Sequence, residues 1–357
     1  KLLLNDNRVD INKADNDGRT PFYSACEKGH IEIVKLLLKD TRVDFNEASN
    51  DGSTPFYIAC QEGHIEIVKL LLNEKIDINK ANKWNGQTPF YVACQKGHIE
   101  MVKILLNSEG VDINKTDNDG WTPFYSACSR GDTHIVKLLL SDKTVDINKA
   151  SNDDSTPFRV ACEEGHIEIV KLLLSNEKID INKADKYGQT PFLFACQNGH
   201  IDIVKLLLND ERIDVNKANN NDVTPLWIAC EIGRIEIAKL LLNDKRVDIN
   251  KANPFLIACE KKHVEIVITL LDDDRIDINK ANKNGATPFY IACGNGYIEI
   301  MKILLSIKRL SIRKKTGYGK TAIDIAKEEK YSSIVNLIKE FDTGNHHEQQ
   351  IREQQIK

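Results

Sequence analysis

The dipeptide Thr-Pro recurs at Thr20, Thr54, Thr88, Thr122, Thr156, Thr190 and Thr224 with a constant step of 34 residues, and once more at Thr287 after a step of 63. Inside that longer step Asn253-Pro254-Phe255 takes the place of a Thr-Pro-Phe, 29 residues after Pro225 and 34 before Pro288. A fixed period of this length is the mark of a stacked repeat, in which each unit buries its apolar face only against its neighbours. It overrides what 357 residues would otherwise suggest, namely two or three globular domains.

One unit can be read residue by residue. Asn50-Asp51-Gly52-Ser53 is a turn signal, since Gly supplies a positive φ and Asn and Asp tolerate one. Thr54 is placed to cap a helix and Pro55 fits its first position, where a missing N–H is harmless. Phe56, Ala59 and Cys60 share one helical face, and Gly63 is set to end the helix. A second helix is predicted from His64, with Ile65, Val68, Leu71 and Leu72 as its inner stripe and Glu66 and Lys69 paired outside. Each helix spans about two turns, too short to stand alone, as isolated helices under about 12 residues are marginal in water.

These residues carry a family resemblance. The run Thr-Pro-Phe-Tyr-x-Ala-Cys-x-x-Gly-His, followed by Ile-Val-Lys-Leu-Leu-Leu and Val/Ile-Asp-Ile-Asn, resembles the ankyrin repeat, with Phe for Leu, Tyr for His and Cys for the second Ala. The style is similar to the lineage-expanded ankyrin families of unicellular eukaryotes. The resemblance implies an all-α repeat solenoid of helix pairs with projecting, β-hairpin-like turns, forming one elongated curved array. Residues 1–14 read as the remnant of a truncated repeat, so the chain is expected to be a piece of a longer one. Residues 15–341 read as the array, with one unit shortened near 251–280 and a capping repeat at 315–341 that has lost the Pro, Cys and Gly-His marks. The polar stretch 342–357 is expected to be a disordered tail or a short helix.

Several functions find no support. With 49 basic and 53 acidic residues the net charge is -4, which gives no general attraction to nucleic acid or an anionic membrane. No run reaches the length of a spanning helix. The nine cysteines, Cys26 to Cys293, occupy one slot per unit, spaced too widely to pair, and read as small buried residues of a reducing compartment. A cytoplasmic location is therefore expected, with the nucleus admitted by the basic cluster Lys308, Arg309, Arg313, Lys314, Lys315 and Lys320. That cluster reads as a solvated turn beside the cap, partly neutralised by Asp272, Asp273 and Asp274. The histidines His30, His64, His98, His166, His200 and His263 also recur in one slot and read as turn residues bonding backbone. Catalysis needs different groups converging on one point, and the same groups spread along a line do not supply it. No enzyme activity, cofactor or metal is expected, and His346-His347 reads as part of a solvated tail.

Function is expected where the copies disagree. These slots are the two residues before the turn Gly, the one after it, and the pair before Gly-His. They hold residues such as Ser53, Gln87 and Lys96 beside larger ones, and in ankyrin arrays they line the concave face. Trp, Tyr and Arg anchors concentrate binding energy. Trp84, Trp121, Arg130, Arg159 and Tyr187 supply such anchors, and Val223, Trp227 and Ile232 form an apolar group in the most deviant unit, 219–250. Trp227 has an equal claim as a packing residue. The expectation is a monomeric, non-catalytic scaffold that binds a protein partner and no nucleic acid. A targeting segment of a larger upstream enzyme or adaptor, or a structural spacer without a discrete partner, are the alternatives.

Overall fold

The computed structural model describes residues 9–355, with side chains through residue 343. Residues 1–8 of the expected remnant at 1–14 and the side chains of His346 and His347 lie outside the described residues. Among the described residues there are twenty α-helices and no strand. They fall into two compact units, one ending at Lys186 and the other beginning at Tyr187.

The first unit holds five helix pairs: α1 (Pro21–Glu27) with α2 (Ile31–Leu37), α3 (Pro55–Glu62) with α4 (Ile65–Leu71), α5 (Pro89–Lys96) with α6 (Ile99–Leu106), α7 (Pro123–Arg130) with α8 (Thr133–Leu140), and α9 (Pro157–Glu163) with α10 (Ile167–Leu174). The second unit repeats the pattern: α11 (Pro191–Asn198) with α12 (Ile201–Leu208), α13 (Pro225–Ile232) with α14 (Ile235–Asn243), α15 (Pro254–Glu260) with α16 (Val264–Leu271), α17 (Pro288–Gly294) with α18 (Ile298–Leu305), and α19 (Ala322–Glu328) with α20 (Ser332–Gln355). Within each unit the first helices of successive pairs stack into one layer and the second helices into another. This is the stacked repeat that the periodicity predicts and the all-α solenoid that the resemblance implies.

The local chemistry explains each pair. Thr54 is extended and its hydroxyl accepts from the Tyr57 N–H at 3.1 Å, while Pro55 opens α3. Gly63, at φ 76°, closes the helix in the left-handed region. Phe56, Ala59 and Cys60 are buried on the shared face. In α4 the buried stripe is Ile67, Val68 and Leu71, whereas Ile65 and Leu72 are half-buried. The predicted stripe was rotated by part of a turn, because a seven-residue helix with apolar residues on several sides does not fix its own rotation. Glu66 and Lys69 pair outside at 2.8 Å, in solvent.

Two hydrogen-bonded ladders, one of backbone alone and one of asparagine side chains on backbone, join neighbouring pairs. In the projecting turns, Asn50 donates its N–H to the Asp17 carbonyl at 2.9 Å, Asn118 to Asn85 at 2.8 Å, Asn152 to Asp119 at 3.0 Å and Lys186 to Asp153 at 3.0 Å. At the opposite loops, an asparagine side chain bridges two residues of the next loop. Asn114 Nδ2 donates to the Thr144 carbonyl at 2.8 Å and its Oδ1 accepts from the Asp146 N–H at 2.9 Å. The slot histidines add a third link. The Nε2–H of His64 donates to the Glu27 carbonyl at 3.0 Å, and His98, His166 and His263 bond in the same way.

The shortened unit lacks its projecting turn. Asn253 directly caps α15, and Ala252 and Asn253 both sit near φ 60°. At the C-terminal end α20 runs on from the apolar pattern through the polar stretch as far as Gln355. The basic cluster is dispersed among intramolecular contacts: Arg309 donates to the Asp274 carbonyl at 3.0 Å, Arg313 pairs with Asp342 at 2.7 Å and Lys320 with Glu328 at 2.6 Å.

Candidate functional site

In the first unit two of the singled-out aromatic residues occupy adjoining turns. The turn before α5 carries one extra residue, and its closing bond runs from the Asn82 N–H to the Gln87 carbonyl at 3.0 Å. The next turn closes over one residue fewer, from the Asp117 N–H to the Trp121 carbonyl at 3.0 Å. The insertion lifts Trp84 out of the turn, where it is 87% exposed. Asn118, in the next turn, donates from its side chain to the Trp84 carbonyl at 3.2 Å. That next turn ends in Trp121, whose N–H is held by Asp117 Oδ1 at 2.9 Å. The indole stacks on the Tyr125 ring, with centroids 5.1 Å apart and planes at 25°. Stacking fixes the ring orientation while its outer face stays in solvent, which lowers the entropy lost when a partner covers it. Burial raises the Asp117 carboxyl above its ordinary range, against hydrogen bonds that favour the anion. Arg130 ends α7, is exposed, and makes no ion pair among the described residues.

Arg159 stands apart from this group. It fills the slot that Tyr holds in most copies and is only 8% exposed. Its Nε donates to Ser155 Oγ at 2.8 Å and its Nη1 lies 3.1 Å from the Glu163 carboxylate. Ser155 Oγ in turn lies 3.0 Å from the Tyr125 hydroxyl. Burial raises the Glu163 carboxyl, with Arg159 opposing that shift. The residue is thus turned inward, into a polar network between neighbouring repeats.

In the second unit, Tyr187 lies at a turn tip and is 58% exposed. Val223 and Trp227 are half-buried and line one cleft of about 460 Å³, together with Leu256, Ala281 and Lys283. Ile232 lies at the far end of α13 from Val223 and is 42% exposed. Val223 and Trp227 are therefore brought together, and Ile232 is separated from them.

Two features escaped sequence reasoning. Ser53 and Gln87 were expected in solvent as members of a variable slot, yet both are buried under the turn. The slot after the turn Gly points inward for small and amide residues and outward for Trp121. The Tyr slot also has a bond of its own: the Tyr57 hydroxyl accepts from Asn82 Nδ2 at 3.2 Å, across to the next turn. The signal for it was the joint recurrence of Tyr with an Asn or Ser 25 to 30 residues on.

Chemistry that needs convergence has little to work with. All nine cysteines are buried free thiols. Burial pushes the Cys26 and Cys293 thiols up to about 12 and the others higher still, so none is a thiolate near neutral pH. Among the described residues no group of three or more His, Cys, Asp or Glu side chains is placed to hold a metal ion. No helix among them is long and apolar enough to cross a membrane.

No curated protein matches this chain. A family model described as ankyrin repeats (3 copies) matches it at residues 1–82, 43–117, 76–153, 106–185, 145–219, 211–282 and 255–347. The matched segments overlap along nearly the whole length, and they coincide with the capped helix pairs and laddered turns described above. The chain belongs to the ankyrin-repeat family.

Proposed function

We propose that this chain is a non-catalytic scaffold that binds a protein partner on the concave face built from the projecting turns and the first helices. Ankyrin repeats are in general protein-interaction modules. The observation that carries the reading here is a division of labour between residues. Those repeated in nearly all copies, such as Phe56, Ala59 and Cys60, are buried. Those peculiar to single copies, Trp84, Trp121, Tyr187 and Ile232, protrude as large exposed side chains from turns and helix ends. Arg130 adds a charged anchor in the same unit as Trp121, and such residues carry most of the energy at protein interfaces. The scaffold acts as a monomer, and its nine buried thiols suit the cytosol or nucleus.

Affinity capture from native cell extract tests this. The wild-type chain is compared with the triple variant W121A/R130A/I232A, and circular dichroism verifies that helicity is kept. The expected outcome is a partner set reduced at least tenfold in the variant. An unchanged set would show that the assigned face is wrong, and an empty set for the wild type would favour a spacer.

A further inference from the structure

The second unit contains a gap in its turn ladder. Asn220 donates its N–H to the Tyr187 carbonyl at 3.0 Å, and further on Gly317 donates to Asn284 at 2.9 Å. Between these rungs the chain is five residues short of its period, so no turn projects. Two backbone groups are left facing the gap. The Asn221 carbonyl corresponds to that of Asp153 in an intact rung, and it accepts no hydrogen bond among the described residues. The Lys283 N–H corresponds to that of Lys186, and it donates none. Asn221 and Lys283 are both exposed.

The intact rung shows what is missing. Lys186 bonds to the Asp153 carbonyl through its N–H and to the Asp153 carboxylate through its ammonium. Lys283 has the same side chain in the same place, and it makes no ion pair among the described residues. The chain does not fill the gap itself. Ala252 and Asn253, at φ 59° and 58°, already hold the short connection in the left-handed region, which non-glycine residues adopt at a cost. What remains is the cleft of about 460 Å³, floored by Val223, Trp227 and Leu256.

We propose that this cleft takes a tight acidic turn of a protein partner, of the form x-Asp-Gly, as the missing rung of the ladder. The partner's Asp carbonyl accepts from the Lys283 N–H, and its carboxylate pairs with the Lys283 ammonium. The N–H of its preceding residue donates to the Asn221 carbonyl. Val223, Trp227 and Leu256 give the turn an apolar floor. Backbone pairing supplies the register, as when a strand is added to an open sheet edge. The proposal rests on the reading of the array as a protein-binding scaffold.

The probe is a cyclic peptide carrying Ser-Asn-Asp-Gly-Ser, the sequence of the chain's own turn at residues 49–53. Its binding to the full chain is followed by titration calorimetry and by the amide resonance of Lys283. Saturable binding with a shift of that resonance is expected. Lys283→Glu should weaken it at least tenfold, replacing the peptide Asp by Asn should do the same, and the two changes together should cost no more than either alone. Inserting a five-residue turn between Ala252 and Asn253 should abolish binding, and Glu168→Ala, on an exposed helix face of the first unit, should leave it unchanged. No binding at millimolar peptide, or binding indifferent to both Lys283→Glu and the insertion, overturns the proposal. If the peptide fails while W121A/R130A/I232A still loses its partners, the cleft assignment falls and the scaffold reading stands. Self-association of the wild-type chain that Lys283→Glu removes would put a second copy in the cleft and overturn the assignment to a separate partner.

Discussion

A residue such as Cys60 is chosen for size, and its burial sets its chemistry as well. The first-helix layer leaves room beside Ala59 for one small side chain, and the thiol fills it with no exposed surface. Loss of hydration penalises the thiolate, which raises Cys26 and Cys293 from the ordinary 9.0 to about 12. The folded chain therefore holds these protons at pH values where the unfolded chain has released them. Stability is undiminished below about pH 9 and falls as pH rises from there toward 12, by up to about 1.4 kcal/mol per pH unit for each thiol. We expect the melting temperature to be flat from pH 7 to pH 8.5 and to drop steeply by pH 10.5. At pH 8 a thiol reagent should find no reactive cysteine in the native chain and all nine in denaturant. Rapid native labelling, or a melting temperature that holds to pH 10.5, would contradict the burial. Residue identities were legible in sequence to the extent that copies repeat them. Cys, Ala, Phe and Thr recur, and repetition marked them as framework. Arg159, Ser53 and Gln87 were misplaced because variation between copies has two causes. A slot varies when it faces solvent, and it also varies when each copy solves a local packing problem with a different side chain.

The loops between pairs show how an element gains stability without a hydrophobic face. Asn148 Nδ2 donates to the Lys178 carbonyl at 2.7 Å, and its Oδ1 accepts from the Asp180 N–H at 3.0 Å. One amide thus satisfies both backbone groups of a neighbouring loop that has no sheet or helix partner. Each such bond contributes about 1 kcal/mol net. Asn148→Ala should lower stability by about 1–2 kcal/mol, and Asn148→Asp, which keeps the acceptor alone, by about half as much. The exposed Lys171–Glu168 pair is shorter than many ion pairs, at 2.7 Å. Glu168→Ala should nevertheless cost no more than about 0.5 kcal/mol, because solvent screens the pair. Urea denaturation of the three variants decides the order. Equal losses at Asn148 and Glu168 would mean that the amide bridge adds nothing beyond a surface contact. The Asn recurrence was visible in the sequence, but its partners are backbone atoms some 30 residues away, and no side-chain pattern announces them. Helix ends were legible for the opposite reason. Thr, Pro and Gly act on the adjacent backbone, so their effect is written where they stand.

At the scale of the whole molecule, a chain whose pairs touch only their neighbours should not lose stability uniformly. In the first unit Leu139 of α8 is fully buried against its own and adjoining pairs. Leu139→Ala removes contacts and leaves a cavity, at a cost of about 3 kcal/mol. In a single-core domain that loss would lower hydrogen-exchange protection everywhere that exchanges through global unfolding. In a stack the loss is confined by nearest-neighbour coupling. Protection should fall most in α7 and α8, less in α5, α6, α9 and α10, and least in α1 and α2. Exchange mass spectrometry of the full chain at one pH resolves these segments. A uniform loss from α1 to α10 would show that the unit unfolds as one body and that the 34-residue period is structural without being energetic. The period itself was the most legible feature of the sequence, since any stacked solution must repeat its caps and core in step. The consequence of breaking it was not legible. A deletion of five residues announces a missing turn, but only the fold shows that the flanking turns at 219–223 and 282–286 still close on themselves on either side of an open rung. The same graded exchange pattern, if it holds in this unit, means that one pair can lose a turn while its neighbours keep their own stability. That local tolerance is what would let a repeat scaffold acquire a site by subtraction.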